Sequence, residues 1–271
     1  MNVDTLLHAE WIIPVNDDRI LQNHSLAIHR GQIAAVAPSA EAREQIQADT
    51  ELELPGHMLI PGLINAHTHA SMTLLRGLAD DLPLMTWLNE HIWPAEKRWV
   101  SEEFVHDGTR LAVLEMLRGG TTCFNDMYFH PDVTARACSA AGIRASVGLI
   151  VVDFPSGWAQ DADEYLSKGI ALHDHFRDDP LIRTAFAPHA PYSVSDEPLR
   201  RVATYADELD IPIHMHVHET RDEVRQSLAD HEVRPLARLE SLGLISPHLM
   251  AVHMTQLNDE EIGRASCRER V

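Results

Sequence analysis

The sequence predicts an α/β fold: a TIM-type (β/α)8 barrel, incomplete at about six βα units, preceded by a small β-sandwich-like domain. Three observations predict it. After Pro61-Gly62 the chain alternates short apolar strands with capped helices. The strands are apolar throughout, as expected of a parallel sheet buried on both faces. No G-x-G-x-x-G follows any of them, and polar residues gather at their C-terminal ends, the rim where barrel enzymes keep their chemistry.

Taken in order, residues 6–15 and 25–37 read as strands, the second folded into a hairpin about Arg30-Gly31. A helical stretch covers 41–47, and the alternation Glu51-Leu52-Glu53-Leu54 adds a strand before Pro55-Gly56. Residues 1–57 are therefore expected to form the small β domain and 58–260 the barrel. Residues 63–66 make the first barrel strand. Ser101 caps a helix that carries Glu102 and Glu103 in its first turn and ends at Gly119-Gly120. Strands follow at 121–126, 145–152, 183–188, 211–217 and 249–253, with helices at 134–141, stopped by Gly142, and 195–209. A closed barrel takes eight units in about 250 residues, so two strands are expected beyond those present.

Acidic residues outnumber basic ones 41 to 22 in 271 residues, a formal charge of −19, and the lysines are Lys97 and Lys168 alone. Such a surface repels phosphate backbones and anionic lipid, which argues against nucleic-acid and membrane partners. The three cysteines form no C-x-x-C pair, no apolar run approaches the ~20 residues of a membrane span, and no secretory signal opens the chain. A cytoplasmic protein is the expectation, with homo-oligomerisation left open. The string 261–271 changes character: Arg264, Arg268, Arg270 and Cys267 crowd its end without an apolar period. It resembles translated sequencing-adapter DNA and is expected to be an artefact, the natural protein continuing past Glu260.

Histidine is the outlier of the composition, at 18 residues. His67-Thr68-His69 follows a strand, and two histidines at i and i+2 face one side, so both imidazoles can reach one metal. An isolated H-x-H is a weak signal, more often two polar loop residues than a metal site. His214, His216 and His218 share strand parity, and only one of them can sit at the rim. His216 followed three residues later by Glu219 suits a ligand and a carboxylate folding over a metal-activated water. His214 lies deeper, as a core or supporting residue, and His218 packs or hydrogen-bonds. For Glu219 the alternative is a plain solvated carboxylate, and for His253 a core histidine at a strand end.

The longer string Pro61-Gly62-Leu63-Ile64-Asn65-Ala66-His67-Thr68-His69 resembles the first strand of the amidohydrolase superfamily. Residues 87–96, the string His214-Met215-His216-Val217-His218-Glu219-Thr220, and Ala251-Val252-His253-Met254-Thr255 are similar to segments of its deaminase and chlorohydrolase branch, and most of all to the methylthioadenosine/S-adenosylhomocysteine deaminases. That resemblance implies His67, His69 and His216 as ligands of one Zn2+ per subunit, completed by an eighth-strand aspartate that this sequence lacks. It implies Glu219 and His253 as catalytic residues, with Glu96 and His189, besides Glu219, contacting a nucleoside. The implied reaction is attack of an activated water on C6 of adenine, Glu219 carrying protons and His253 orienting the water. Some superfamily members bridge two metals with a lysine at the end of the fourth barrel strand; 183–189 contains none, which favours a single ion. Residues 148–158 also lack the arginines that some relatives place there, which favours methylthioadenosine, with Phe154 or Trp158 against its methylthio group. A guanine-type deaminase, a triazine chlorohydrolase and a non-catalytic barrel scaffold are the alternatives, and the 271-residue chain itself is expected to be inactive.

Overall fold

The structure is a computed structural model that describes residues 1–16 and 18–268, the last five by their backbone alone. The chain divides into two compact units, Met1–Leu63 and Ile64–Val271, a boundary slightly beyond the expected 57/58.

In the first unit, β1 (Asn2–Ile12), β2 (Leu21–His29), β3 (Gln32–Pro38) and β4 (Gln47–Leu59) form one sheet in the order β3-β2-β1-β4. β1/β2 and β2/β3 pair antiparallel, while β4 returns parallel to β1. The expected hairpin is present: Arg30 and Gly31 carry φ 52° and 74°, the double left-handed turn that suits strand twist. β4 is far longer than the alternation at 51–54 implied. It runs through Pro55-Gly56 because Gly56, at φ 69°, sits where the pairing with β1 shifts register between Ala9 and Trp11. A helix at Ser39–Gln45 buries Ala42 with Val3, Leu6 and Ala27, and this small cluster is the unit's core.

In the second unit, β5 (Leu63–Thr68), β6 (Thr121–Asp126), β7 (Arg144–Val151), β8 (Ile182–Pro188), β9 (Ile213–Val217) and β10 (Leu249–His253) lie in strict sequence order in one sheet. The pairs from β6 to β10 are parallel. β9 is buried at every position and β7 at nearly every one, which is why neither strand alternates. Their side chains join Phe124, Phe186, Leu199, Val202 and Leu239 in one continuous core between strands and helices. The sheet curls far enough that Asn125 on β6 reaches Met250 on β10, Nδ2 to Sδ 3.1 Å.

The helices start where the sequence places caps. Ser101 Oγ accepts from Phe104 N at 3.2 Å at the head of Glu102–Arg118. Asp161 does the same for Ala162–Phe176, a helix that sequence reading passed over although Tyr165, Leu166, Gly169, Leu172 and Phe176 form a buried stripe at helical spacing. Residues 84–99 are helical in three pieces, with a π-helical turn at Leu88–Ile92 between Leu84–Trp87 and Trp93–Trp99. At the C-terminal end a helix covers Asp259–Arg268. Glu261 in it is buried and accepts from Arg234 Nε and Nη2 at 2.8 and 2.7 Å. Residues 269–271 of the string expected to be foreign lie outside the described residues. No helix among the described residues is long and apolar enough to cross a membrane.

Candidate active site

The C-terminal ends of β5, β8, β9 and β10 bring five imidazoles together. His67 Nε2 faces His216 Nε2 at 3.2 Å. Ring nitrogens of His67, His216 and His253 lie within 4.8 Å of one another, a group that does not include His69, one of the expected ligands. The His69 ring centroid is 4.8 Å from that of His67 and 5.1 Å from that of His216, and His189 stands 5.0 Å from His216. Parity of side chains on each strand makes this convergence, because His67 on β5 and His216 on β9 point to the same interior.

The ring orientations are held from behind. His69 Nδ1 donates to Met127 O at 2.6 Å, and His216 Nδ1 donates to His189 O at 2.9 Å, so each Nε2 keeps a free lone pair. His67 Nδ1 meets His214 Nε2 at 2.9 Å. His214, fully buried, thus stands behind His67, the deeper supporting position expected of it. Burial, and then the neighbouring imidazoles, hold the His67 ring down to about 3, and burial followed by repulsion from His69 holds His214 to about 4. His69 and His216 are lowered by burial as well. All are neutral at physiological pH, the form that binds metal.

These features fit a divalent ion of the zinc kind. Tetrahedral Zn–N bonds near 2.0–2.1 Å put neighbouring ligand nitrogens roughly 3.4 Å apart, close to the 3.2 Å between His67 and His216.

Glu219 lies just past β9, with its Oε1 3.6 Å from His253 Nε2. Burial raises its pKa, partly offset by His253. Its position is set by a seam between two loops: Met254 N donates to Val217 O at 3.0 Å, and Thr255 N to His218 O at 3.0 Å. His253 and Met254 turn with φ 78° and 53° and His218 with φ 56°, so the strand register ends there and His218 swings out of line with His214 and His216. His218 is fully buried; its Nδ1 donates to Gln256 O at 3.1 Å, and its Nε2 accepts from Leu236 N at 3.2 Å.

A cavity of about 740 Å³ opens at Thr220, just after Glu219, and is walled by Leu84, Met85, Trp93, Phe129, Phe154 and Glu96 among others; none of the five imidazoles lines it. Tyr128 donates its hydroxyl to Glu96 at 2.8 Å, yet burial still pushes the Glu96 carboxyl up to about 7. His189 Nδ1 meets Ser193 Oγ at 2.8 Å. Phe154 belongs to the wall, whereas Trp158 does not: it is buried, its ring 5.7 Å from that of Tyr165. The expectation for Trp158 is corrected accordingly; the helix Ala162–Phe176, unseen in the sequence, is what draws it inward.

Sequence reasoning also missed Asp126, whose buried carboxylate at the end of β6 accepts from Ala70 N at 2.7 Å and braces the backbone just after His69. It missed Glu223 too, although the pattern Thr220-x-x-Glu223 is a readable capping signal. The cluster of His8, Glu51 and Glu53 in the first unit is saturated internally, His8 bonding Ser25 and Glu51, and Arg43 pairing both glutamates.

A parallel βα sheet with neutral imidazoles and a carboxylate at the strand ends is the architecture of a metal-binding barrel. The chain belongs to the amidohydrolase family, which it matches over residues 58–269. It is 50% identical over 260 residues to the 5-methylthioadenosine/S-adenosylhomocysteine deaminase of Saccharophagus degradans, covering 96% of this chain and 58% of that protein. It is 41% identical over 242 residues to the 5′-deoxyadenosine deaminase of Methanothermobacter thermautotrophicus, covering 89% and 56%. An adenosine deaminase from Xanthomonas campestris, solved with bound zinc, superposes with a TM-score of 0.96 at 51% identity over 98% of this chain and 61% of that one. The chain thus spans about three-fifths of the length of these relatives.

Proposed function

We propose that the intact protein is a zinc-dependent, cytoplasmic deaminase of adenine nucleosides, acting on 5′-methylthioadenosine or S-adenosylhomocysteine to release ammonia and the inosine analogue. The observation that carries this reading is the meeting of His67, His69, His216, His253 and Glu219, with a largely apolar cavity of nucleoside size opening at Thr220, the residue after Glu219. The deaminases named above support it, as does the neutral, Nε2-directed donor set.

His67, His69 and His216 hold the metal, one ion per chain, since β8 offers no lysine to bridge a second. The ligand role goes to His69 rather than His253 because His69 shares with His216 the Nδ1 bond to a backbone carbonyl, whereas His253 faces Glu219. Zinc in that set supplies activation of water at neutral pH. Glu219, whose carboxyl pKa burial raises, protonates ring N1 and carries a proton to the departing amine. His253 orients the attacking water, Glu96 accepts from the ribose hydroxyls, and His189 bonds the base or sugar. Phe154, Trp93 and Met85 take the apolar 5′ substituent. S-adenosylhomocysteine is the second reading, favoured by Lys97 and Asp222, which line the same cavity and match the two charges of an amino-acid tail.

Steady-state assays of the intact, zinc-loaded protein test the reading. Methylthioadenosine is expected to exceed adenosine in kcat/KM by a factor worth about 1–3 kcal/mol, the value of burying so small an apolar group. Ammonia released from guanine alone, or two tightly held ions per active chain, overturns it.

A further inference from the structure

Glu219 stands on a backbone that needs to be held. The residue before it, His218, is left-handed at φ 56°, and a bulky residue keeps that conformation only where its surroundings impose it. Glu223 imposes it. Its carboxylate, itself buried, accepts from His218 N at 2.9 Å and from Glu219 N at 2.7 Å. In return Glu223 N donates to Thr220 Oγ1 at 3.2 Å, where Thr220 caps the helix Arg221–His231.

In an ordinary capping box the glutamate at the third helical position reaches back to the backbone N–H of the cap residue itself. Here it passes over Thr220 and takes the two amides before it. The carboxylate therefore stabilises the loop that presents Glu219 rather than the helix end. From the opposite side Thr255 Oγ1 reaches Glu219 O at 2.6 Å and His218 O at 3.1 Å. Thr255 directly follows His253-Met254, so one short segment presents His253 and clamps the carbonyls of the segment that presents Glu219.

We propose that Glu223 is a positioning residue: with Thr255 it fixes the peptide of Glu219 from both edges and so sets the Glu219–His253 separation required for proton transfer. The claim rests on the reading of Glu219 as the proton carrier.

The test compares Glu223→Ala and Glu223→Gln in the intact zinc-loaded protein, each alone and combined with Glu219→Gln. Turnover of methylthioadenosine, zinc content and hydrogen exchange of the amides at 218 and 219 are followed. Glu223→Ala is expected to lower kcat about 10–100-fold, as a displacement near 1 Å does, with KM and zinc content nearly unchanged. In the Glu219→Gln background the same change is expected to cost nothing more, because both act through one group. The two amides are expected to exchange faster in Glu223→Ala. Glu223→Gln keeps one acceptor oxygen for two amides, so it is expected to lie between wild type and alanine in both rate and exchange. Equal losses of kcat in both Glu219 backgrounds, or amide exchange unaffected by Glu223→Ala, overturn the proposal. Should the alanine variant not fold, Glu223→Gln with wild-type kcat and exchange overturns it. If the wild-type protein deaminates no nucleoside, the functional reading falls, and the exchange rates alone decide whether Glu223 holds the loop.

Discussion

At the scale of single residues, three of the five clustered imidazoles are held through their second nitrogen. Met127 O holds His69, His189 O holds His216, and His214 holds His67. Glu219 differs in being presented by a turn rather than a strand, and its carboxyl is raised by burial. Glu219→Gln is therefore expected to keep one zinc per chain while losing about 10²–10⁴-fold in kcat, since what it removes is a positioned proton donor. A variant with wild-type kcat would acquit Glu219 of that role. Glu96 makes a separate pH prediction. Held up to about 7 by burial, it is a carboxylate only above that value, and only the carboxylate accepts two ribose hydroxyl bonds. KM for the nucleoside is expected to fall as pH rises from 6 to 8, and Glu96→Gln to abolish that dependence. An identical KM profile in the variant would assign the titration elsewhere.

At the scale of elements, the helix Glu102–Arg118 and the short 3-10 helix Ala70–Leu75 lie in unusually close contact. A Cβ added at Gly108 would stand 2.5 Å from Ser71 O and 2.8 Å from Ser71 Cα. Both are backbone atoms, so no side chain can move aside. The sequence Ala70-Ser71 begins immediately after His69, and Ser71 Oγ is tied to Thr109 Oγ1 at 3.1 Å. Gly108→Ala is expected to destabilise the fold by about 1–3 kcal/mol and to weaken zinc binding by shifting His69. Chemical denaturation and zinc competition with a chromophoric chelator measure both; a variant as stable as wild type would place the contact wrongly.

At the scale of the whole molecule, stability depends on pH through the buried histidines. His67 and His189 are held to about 3 and His214 to about 4, with His69 and His216 also lowered. Below their ordinary pKa the unfolded chain binds protons that the folded chain refuses. Stability is therefore complete above about 6.5 and lost as pH falls from there towards 3, by about 1.4 kcal/mol per pH unit for each proton. Glu96 and Asp126, both pushed up to about 7 by burial, and Glu219, also raised, work the other way: they favour the folded state as pH falls. With His130 also lowered by burial, six imidazoles against these three carboxyls set the net sign. The zinc-free protein is expected to lose stability between pH 7 and pH 5 in urea titrations, and bound zinc to steepen the loss because protons compete for the same nitrogens. A flat profile would mean that the imidazoles are not desolvated as a group.

Local sequence was enough to place the strands, because an apolar run between turn signals is a property of neighbouring residues. It also located four helices, near 41, 101, 134 and 195, the hairpin at Arg30-Gly31, and the H-x-H and His216/Glu219 pairs at strand ends. It said nothing of the stripe in Ala162–Phe176, which a separate scan at helical spacing would have found, and so left Trp158 facing the wrong way. Only the tertiary structure decided which histidines meet. His67 and His214 are 147 positions apart in the chain, and His216 and His189 are linked through a backbone carbonyl; neither relation has a local signal. The same holds for the raised carboxyls of Glu96 and Asp126 and for the clamp of Glu223 on Glu219. Residue type and strand parity are fixed along the chain, whereas desolvation and hydrogen-bond partners come into being only when the sheet curls and brings distant strand ends to one mouth.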